Sequence, residues 1–319
     1  MAAIRFANVS KKYGATQALA GVTLEVMKGE MFGIIGPDGA GKTTAVRLAC
    51  GLVKPDGGAI AVQDRDPVRD HRAVTQHVGY LSQRFSLYGD LTIDENIAFF
   101  AEIHGVRHYA SARDRLLSMT QLTAFRKRRA DRLSGGMKQK LALACTLVHE
   151  PDVLLLDEPT TGVDPVSRRE FWKLLSEFLA AGLTIVMTTP YLDEAERCAR
   201  VALLHDGRLL AIDSPAALQE TLEGRLVEVV VDADRPPVDL LATVEGVEDV
   251  QLFGDRAHVR LAGGSQTEAV TRITNTLRAK GINVRSARPV SATLEDVFIG
   301  LITTGGGNVE TGPTSGLHA

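Results

Sequence analysis

The sequence predicts an α/β protein in two parts: a large domain built on a buried parallel sheet, and a small α+β domain after it. Three observations carry that reading. "MFGIIG", "DVLLLDEP" and "LTIVMTT" are short continuous apolar runs, the pattern of strands buried on both faces. Helical patterns such as "SRREFWKLLSEFLAAG" stand between them. After about residue 222 the pattern restarts, and 319 residues leave room for a second, smaller core.

Taken in order, residues 1 to about 30 read as short strands and turns, with "AIRFANV" and "GVTLEV" alternating or β-branched and "KKYGATQ" between them. "MFGIIG" then runs into a glycine-rich loop and the helix "KTTAVRLACGL", which ends at Gly51. A helical region spans about 84–150, where Ile97, Phe100 and Ile103 in "ENIAFFAEIHG" recur at helical spacing. "DVLLLDEP" and "LTIVMTT" complete the buried strands, and "VALLHDGRLLAI" closes the first domain, 1–221, as a hairpin turning at Asp206-Gly207. From 222 to 302, "RLVEVVV", "PPVDLLATV", "VEDVQLF", "AHVRLA", a helix and "INVRSA" give β-α-β-β-α-β, a ferredoxin-like order. Ser265 and Glu268 make a capping-box pattern for its second helix, and Val270, Ile273 and Leu277 form its apolar stripe. "TLEDVFIGLI" adds a last helix, and 303–319 has too little to bury and is expected to be disordered.

Composition narrows the partners. A formal net charge of -3 predicts no broad attraction to nucleic acid or anionic lipid. Cys50, Cys145 and Cys198 are far apart and odd in number, which argues against a disulfide framework or zinc site and for buried thiols in a reducing cytosol. The N-terminus carries no basic-then-apolar leader and no apolar run nears the roughly 18 residues of a membrane span. The chain is therefore expected to stay in the cytoplasm, with any spanning done by another polypeptide.

Gly36-Pro37-Asp38-Gly39-Ala40-Gly41-Lys42-Thr43 fits G-x-x-x-x-G-K-[ST] in full, between a strand and a helix, and Thr44 follows it. Such a loop turns backbone N–H groups around phosphate oxygens, lets Lys42 reach the β- and γ-phosphates of a nucleotide and offers the Thr43 hydroxyl to Mg²⁺. In "VLLLDEP", apolar residues deliver Asp157 and Glu158 to the carboxyl end of a buried strand, where α/β sheets place ligand chemistry. There Asp157 would hold Mg²⁺ and Glu158 would orient or deprotonate the attacking water.

These two motifs leave kinases, GTPases and motor ATPases open. Leu133-Ser134-Gly135-Gly136-Met137 with Gln139 resembles the signature of the ATP-binding-cassette (ABC) ATPases, about 20 residues before the Asp157-Glu158 pair as in that family. It too is an anion site by type, with hydroxyl and N–H groups at a helix N-terminus. The resemblance covers residues 4 to about 215. It implies a P-loop NTPase fold with a RecA-like core, an antiparallel β subdomain and a helical subdomain, ATP and Mg²⁺ as ligands, and ATP held between two head-to-tail subunits. It further implies that Tyr13 stacks on adenine, that Gln83 links Mg²⁺ and water to the membrane partner, and that Asp164 crosses the dimer interface. Tyr13 reads equally as packing in a turn, Gln83 as an exposed loop amide and Asp164 as a helix cap.

At position 190, in "TTPYLDEAE", the resembled family usually has a histidine that hydrogen-bonds the γ-phosphate. Proline has no such donor. Losing one donor to developing charge typically costs about 2.7–4 kcal/mol, a factor of roughly 10²–10³ in rate. Slowed hydrolysis is expected, unless Tyr191 supplies a hydroxyl or Glu158 positions water unaided.

"PYLDEAERCARVALLHDGRLLA" followed by a small domain ending in "TLEDVFIGLI" resembles the ATPase subunits of ABC-2-type exporters, YbhF-like ones included. That implies a membrane permease partner, a homodimer or heterodimer with a related ATPase, no nucleic acid, and a peripheral place on the cytoplasmic face of the bacterial inner membrane. Phe85, Leu87 and Tyr88 would then either anchor a permease helix or pack inside the helical subdomain. "FRKRRADR", 125–132, reads as a phosphate- or lipid-facing patch or as a solvated basic face. Two other functions stay open: a slow-turnover, ATP-gated clamp or regulatory subunit, and a soluble ABC ATPase acting outside transport.

Overall fold

The computed structural model describes residues 1–83, 87–233 and 235–303. They divide into two compact units, one over Met1–Ile212 and one beginning at Asp213. In chain order the first contains β1 (Ala2–Tyr13), β2 (Thr16–Met27), β3 (Met31–Ile35), α1 (Lys42–Ala49), β4 (Gly57–Val62), α2 (His71–His77), β5 (Val78–Leu81), α3 (Ile93–Ile103), α4 (Ala110–Met119), α5 (Gly135–Leu147), β6 (Val153–Asp157), α6 (Pro165–Ala180), β7 (Thr184–Thr189), α7 (Leu192–Ala195), β8 (Arg200–His205) and β9 (Arg208–Asp213). The second contains α8 (Pro215–Glu220), β10 (Leu226–Val231), α9 (Val238–Ala242), β11 (Val247–Phe253), β12 (Arg256–Leu261), α10 (Gln266–Ala279), β13 (Val284–Pro289) and α11 (Leu294–Thr303).

A six-stranded sheet in the order β5-β6-β7-β3-β8-β9 forms the centre of the first unit, with parallel pairing from β5 through β8. Every residue of β3, β6 and β7 is buried, which is why their sequences are apolar without alternation. A three-stranded antiparallel sheet, β2-β1-β4, faces it across one shared core containing Phe6, Leu24, Phe32, Val46, Leu155 and Val186. The short strands expected over residues 1–30 are in fact two strands of 12 residues each, and only Gly14 and Ala15 separate them. Register shifts within the β1–β2 ladder explain the difference: bulges break the period-two pattern while the strands continue. Asp206 and Gly207 both have positive φ, 46° and 72°, as the hairpin reading of that pair requires.

In α3 the buried face is Ile93, Asn96, Ile97 and Ala101. The stripe through Phe100 and Ile103 is thereby corrected, since Ile103 is 62% exposed. A complete Thr92/Glu95 capping box sets where the helix begins. Asn96 then turns inward because its amide donates to the carbonyls of Tyr88, Leu91 and Thr92, closing the preceding loop. Arg84, Phe85 and Ser86, at the start of the expected helical region, lie outside the described residues.

The second unit is a four-stranded antiparallel sheet, β11-β12-β10-β13, whose first strand pairs with the third and fourth. Its β-α-β-β-α-β order is the ferredoxin-like one. Val227, Val229, Val259, Leu241, Ile273 and Leu277 fill the core between this sheet and α9 and α10. Ser265 caps α10 by accepting from the Glu268 N–H at 3.4 Å. The second unit begins at Asp213 where the sequence reading puts the break at 221/222, because helix α8 packs against α11. Thr303 ends α11, and the rest of the expected tail, 304–319, lies outside the described residues.

Candidate active site

Parallel register brings several strand ends to one edge: Asp157 pairs with Thr188, and Ile35 with Thr189. Chemistry therefore gathers just beyond β3, β6 and β7. The glycine-rich loop leaves β3 at Gly36, where a Cβ would run into the Leu204 carbonyl. At Gly41 φ is 102° and a Cβ would strike the Ala18 carbonyl, so α1 begins from a conformation that glycine alone adopts readily.

Lys42 is 4% exposed. Its Nζ donates to the Gly36 and Pro37 carbonyls at 2.9 and 3.0 Å and lies 3.1 Å from Glu158 Oε1. Asp38, exposed, stands 3.9 Å away. The other Glu158 oxygen accepts from Gln83 Nε2 at 3.0 Å, while its own N–H is bonded to both oxygens of Thr188. Glu158 has φ 48°, a left-handed backbone for a non-glycine residue, held by those Thr188 bonds. Asp157, 2% exposed, accepts from the Thr43 hydroxyl at 2.9 Å and the Thr188 hydroxyl at 2.8 Å. Burial first and Asp157 second push the neighbouring Tyr80 phenol up to about 12.

These groups surround a cleft of about 510 Å³, lined by Asp38, Gly39, Gly41, Lys42, Thr43 and Thr44 of the glycine-rich loop and α1 together with Gln83, Glu158, Thr161, Pro190 and Tyr191. Thr16 and Ala18 of β2 also line it. Ala40, 1% exposed, packs behind the loop. Loop N–H groups at the start of α1 and a buried lysine suit an anion such as a phosphate chain. Thr43, Asp157 and Gln83 offer only hard oxygen donors, few enough that a bound Mg²⁺ would keep waters and phosphate oxygens, as that ion prefers.

Five expected site residues, Tyr13, Ser134, Gly135, Gly136 and Asp164, are not among those that line this cleft. Tyr13 ends β1, 45% exposed, with Lys11 Nζ 5.5 Å over its ring; it pairs with Thr16, which does line the cleft. Ser134 caps α5 by accepting from the Met137 N–H at 3.3 Å, with Gly135 and Gly136 in the first turn of that helix. Asp164 caps α6, accepting from Val166 and Ser167 N–H groups, and bonds from Ser167 hold its carboxyl below the usual range. Tyr88 is half exposed with its ring 4.5 Å from Phe99; Phe85 is not described. In the basic stretch, Arg126 pairs with Asp94 and Asp114, and Arg129 with Asp131, which favours the solvated-face reading for these two.

Sequence reasoning passed over Thr16, Thr161 and Thr188. Only the last had a visible signal, a threonine at the end of an apolar strand. Cys50, Cys145 and Cys198 are all buried free thiols, and burial raises each thiol pKa.

A family model described as ABC transporter matches residues 19–161. The probable multidrug ABC transporter ATP-binding protein YbhF of Escherichia coli K12 is 39% identical over 304 residues, 94% of this chain, which spans about half (51%) of that relative's length. A daunorubicin resistance ATP-binding protein of Streptomyces coeruleorubidus is 35% identical over 307 residues, 94% of each chain. A dimeric bacterial ABC transporter cassette of known structure superposes with a TM-score of 0.60 at 27% identity, covering 66% of this chain and 98% of the cassette.

Proposed function

The chain belongs to the ABC transporter ATP-binding family and is an ATPase, and from that premise we propose that it is the nucleotide-binding subunit of an ABC-2-type exporter. In this role it binds MgATP in a head-to-tail dimer, with itself or with a related ATPase, and dimer closure drives a separate membrane permease. The observation that carries the reading is the convergence of Lys42, Gln83 and Glu158 on one cleft, beside Thr43 and Asp157.

Lys42 and the loop N–H groups take the β- and γ-phosphates. Phosphate oxygens compete with Glu158 for Lys42 Nζ, so nucleotide entry frees that carboxylate to orient or deprotonate water. Thr43, Asp157 and Gln83 would hold Mg²⁺, which when bound neutralises charge on the phosphates. Ser134, Gly135, Gly136 and Asp164, none of which lines the chain's own cleft, serve the nucleotide of the other subunit, and Tyr13 stacks on the base. The names of the multidrug and daunorubicin resistance relatives support export. Among the described residues no helix is long and apolar enough to cross a membrane, so the exporter's spans are assigned to the permease, with this subunit on its cytoplasmic side.

One observation favours a second reading. Pro190 lines the cleft without any donor to offer a phosphate, which fits a slow-turnover clamp. The test is nucleotide binding and ATPase activity of wild type and Lys42→Ala, with recovery of the native complex from cells. Wild type binds and turns over MgATP, Lys42→Ala loses binding, and an integral membrane protein is recovered with the chain. Intact binding in Lys42→Ala, or a native complex on ribosomes with no membrane partner, overturns the exporter reading.

A further inference from the structure

Four residues after Pro190 stands a buried carboxylate that no part of the chemistry above uses. Glu194, in α7, is 1% exposed. One of its oxygens accepts from the Thr160 hydroxyl at 2.5 Å and the other from the Thr189 hydroxyl at 2.7 Å. Thr160 sits two residues after Glu158, in a turn where the Thr161 N–H returns to the Glu158 carbonyl. Thr189 is the last residue of β7, and its hydroxyl also accepts from the Tyr191 N–H at 3.0 Å. A single buried side chain thus joins the turn that carries Glu158 to the turn that carries Pro190 and Tyr191, two walls of one cleft.

Arg168 of α6 completes the cluster. Its Nε is 3.6 Å from Glu194 Oε1, and its guanidinium lies 5.0 Å from the Tyr191 ring centroid. The signature helix reaches the same turn, since Gln139 Nε2 in α5 donates to the Pro159 carbonyl. A buried carboxylate is costly unless hydrogen-bonded and paired, and this one is both. A carboxylate bridge between two hydroxyls is also directional, so it sets the separation of the segments it joins.

We propose that Glu194, with Arg168 as its counter-ion, is a positioning residue for ATP hydrolysis, fixing the Glu158 turn against the Pro190–Tyr191 turn. Proline at 190 has no donor to offer across the cleft, and the clamp holds that strand end through Thr189. The inference rests on the hydrolytic reading of the cleft.

The test uses the full chain, with kcat and KM for MgATP, equilibrium binding of a fluorescent ATP analogue, and amide hydrogen exchange over 158–163 and 188–196. Glu194→Ala is expected to lower kcat by about 10–100-fold while KM and analogue affinity stay within about threefold. Exchange should quicken by about tenfold in both segments together, and Glu194→Gln, which keeps one acceptor oxygen of the two, should recover only part of the rate. Should Glu194→Ala fail to fold, Thr160→Val and Thr189→Val each cut one arm: kcat falls in each, and the double variant is no worse than the weaker single. An unchanged kcat, a loss of affinity matching the loss of rate, exchange confined to the mutated helix, or additive threonine effects overturns the clamp. If wild type neither binds the analogue nor hydrolyses ATP, the hydrolytic reading falls and the clamp with it; the other failures leave that reading standing.

Discussion

Glu158 and Glu228 are both carboxylates at most 9% exposed, yet they are partnered in opposite ways. Glu228, on β10 in the second unit, is held by Arg256 Nη1 at 3.0 Å from β12 and Arg288 Nε at 3.0 Å from β13, the strands on either side. Those arginines are themselves 51% and 62% exposed, so only the carboxylate is desolvated. Glu158 instead relies on Lys42, 4% exposed, and on Gln83, and all three line the cleft. Its backbone is left-handed as well. The same residue type under similar burial is a cross-strand staple in one place and an exchangeable group in the other. What separates them is whether the partners can be drawn away by something entering a cavity.

The comparison can be broken first at Glu158. Glu158→Gln keeps the shape and the Gln83 contact but removes the charge, and steady-state ATPase should fall by roughly 10²–10⁴-fold with nucleotide binding retained. Equal loss of binding would make Glu158 a staple after all. Pro190→His comes next: a donor restored to the cleft lining should raise turnover by about tenfold or more, up to roughly 10². No change would mean that the cleft positions water without that donor.

The second unit should answer in stability and not in turnover. Glu228→Ala leaves two arginines without their shared acceptor, and urea unfolding should show a loss of about 1–3 kcal/mol in this unit while ATPase activity is unchanged. The smallest expected effect is with pH. Burial alone would raise the Glu228 carboxyl, but hydrogen bonds from Arg288 and Arg256 outweigh it and hold the group below its ordinary value. Its stabilisation is therefore complete above the unfolded value of about 4.3 and is lost as pH falls through the lowered folded value. Acid unfolding followed by circular dichroism should be less steep in Glu228→Gln than in wild type across that window.

Much of this was legible in the chain. The glycine loop, Asp157-Glu158 and the buried runs around them could be read because each depends on residues adjacent in sequence: a short loop, a strand of one hydropathy, a helix start. The ferredoxin-like order of the second unit was legible for the same reason, from segments whose patterns repeat at strand and helix spacing. The length of β1 and β2 was not, because bulges disturb the alternation on which strand reading depends. Nor was the inward turn of Asn96, a polar residue on a buried helical face that is explained only by the loop carbonyls it meets.

By itself the sequence determined which residue types this chain brings to the cleft: a glycine-rich loop with Lys42 and Thr43, the acidic pair Asp157-Glu158 at a strand end, and a proline without a donor at 190. Tertiary structure alone decided how those groups meet. Lys42 and Glu158 stand 116 positions apart in the chain and 3.1 Å apart in space. Glu194 looks like any acidic residue of a short helix until Thr160 and Thr189 are seen on its two oxygens. The physical reason is range. Local patterns record the preferences of neighbouring residues, whereas a buried charge is satisfied by whichever partners the strand register brings to it.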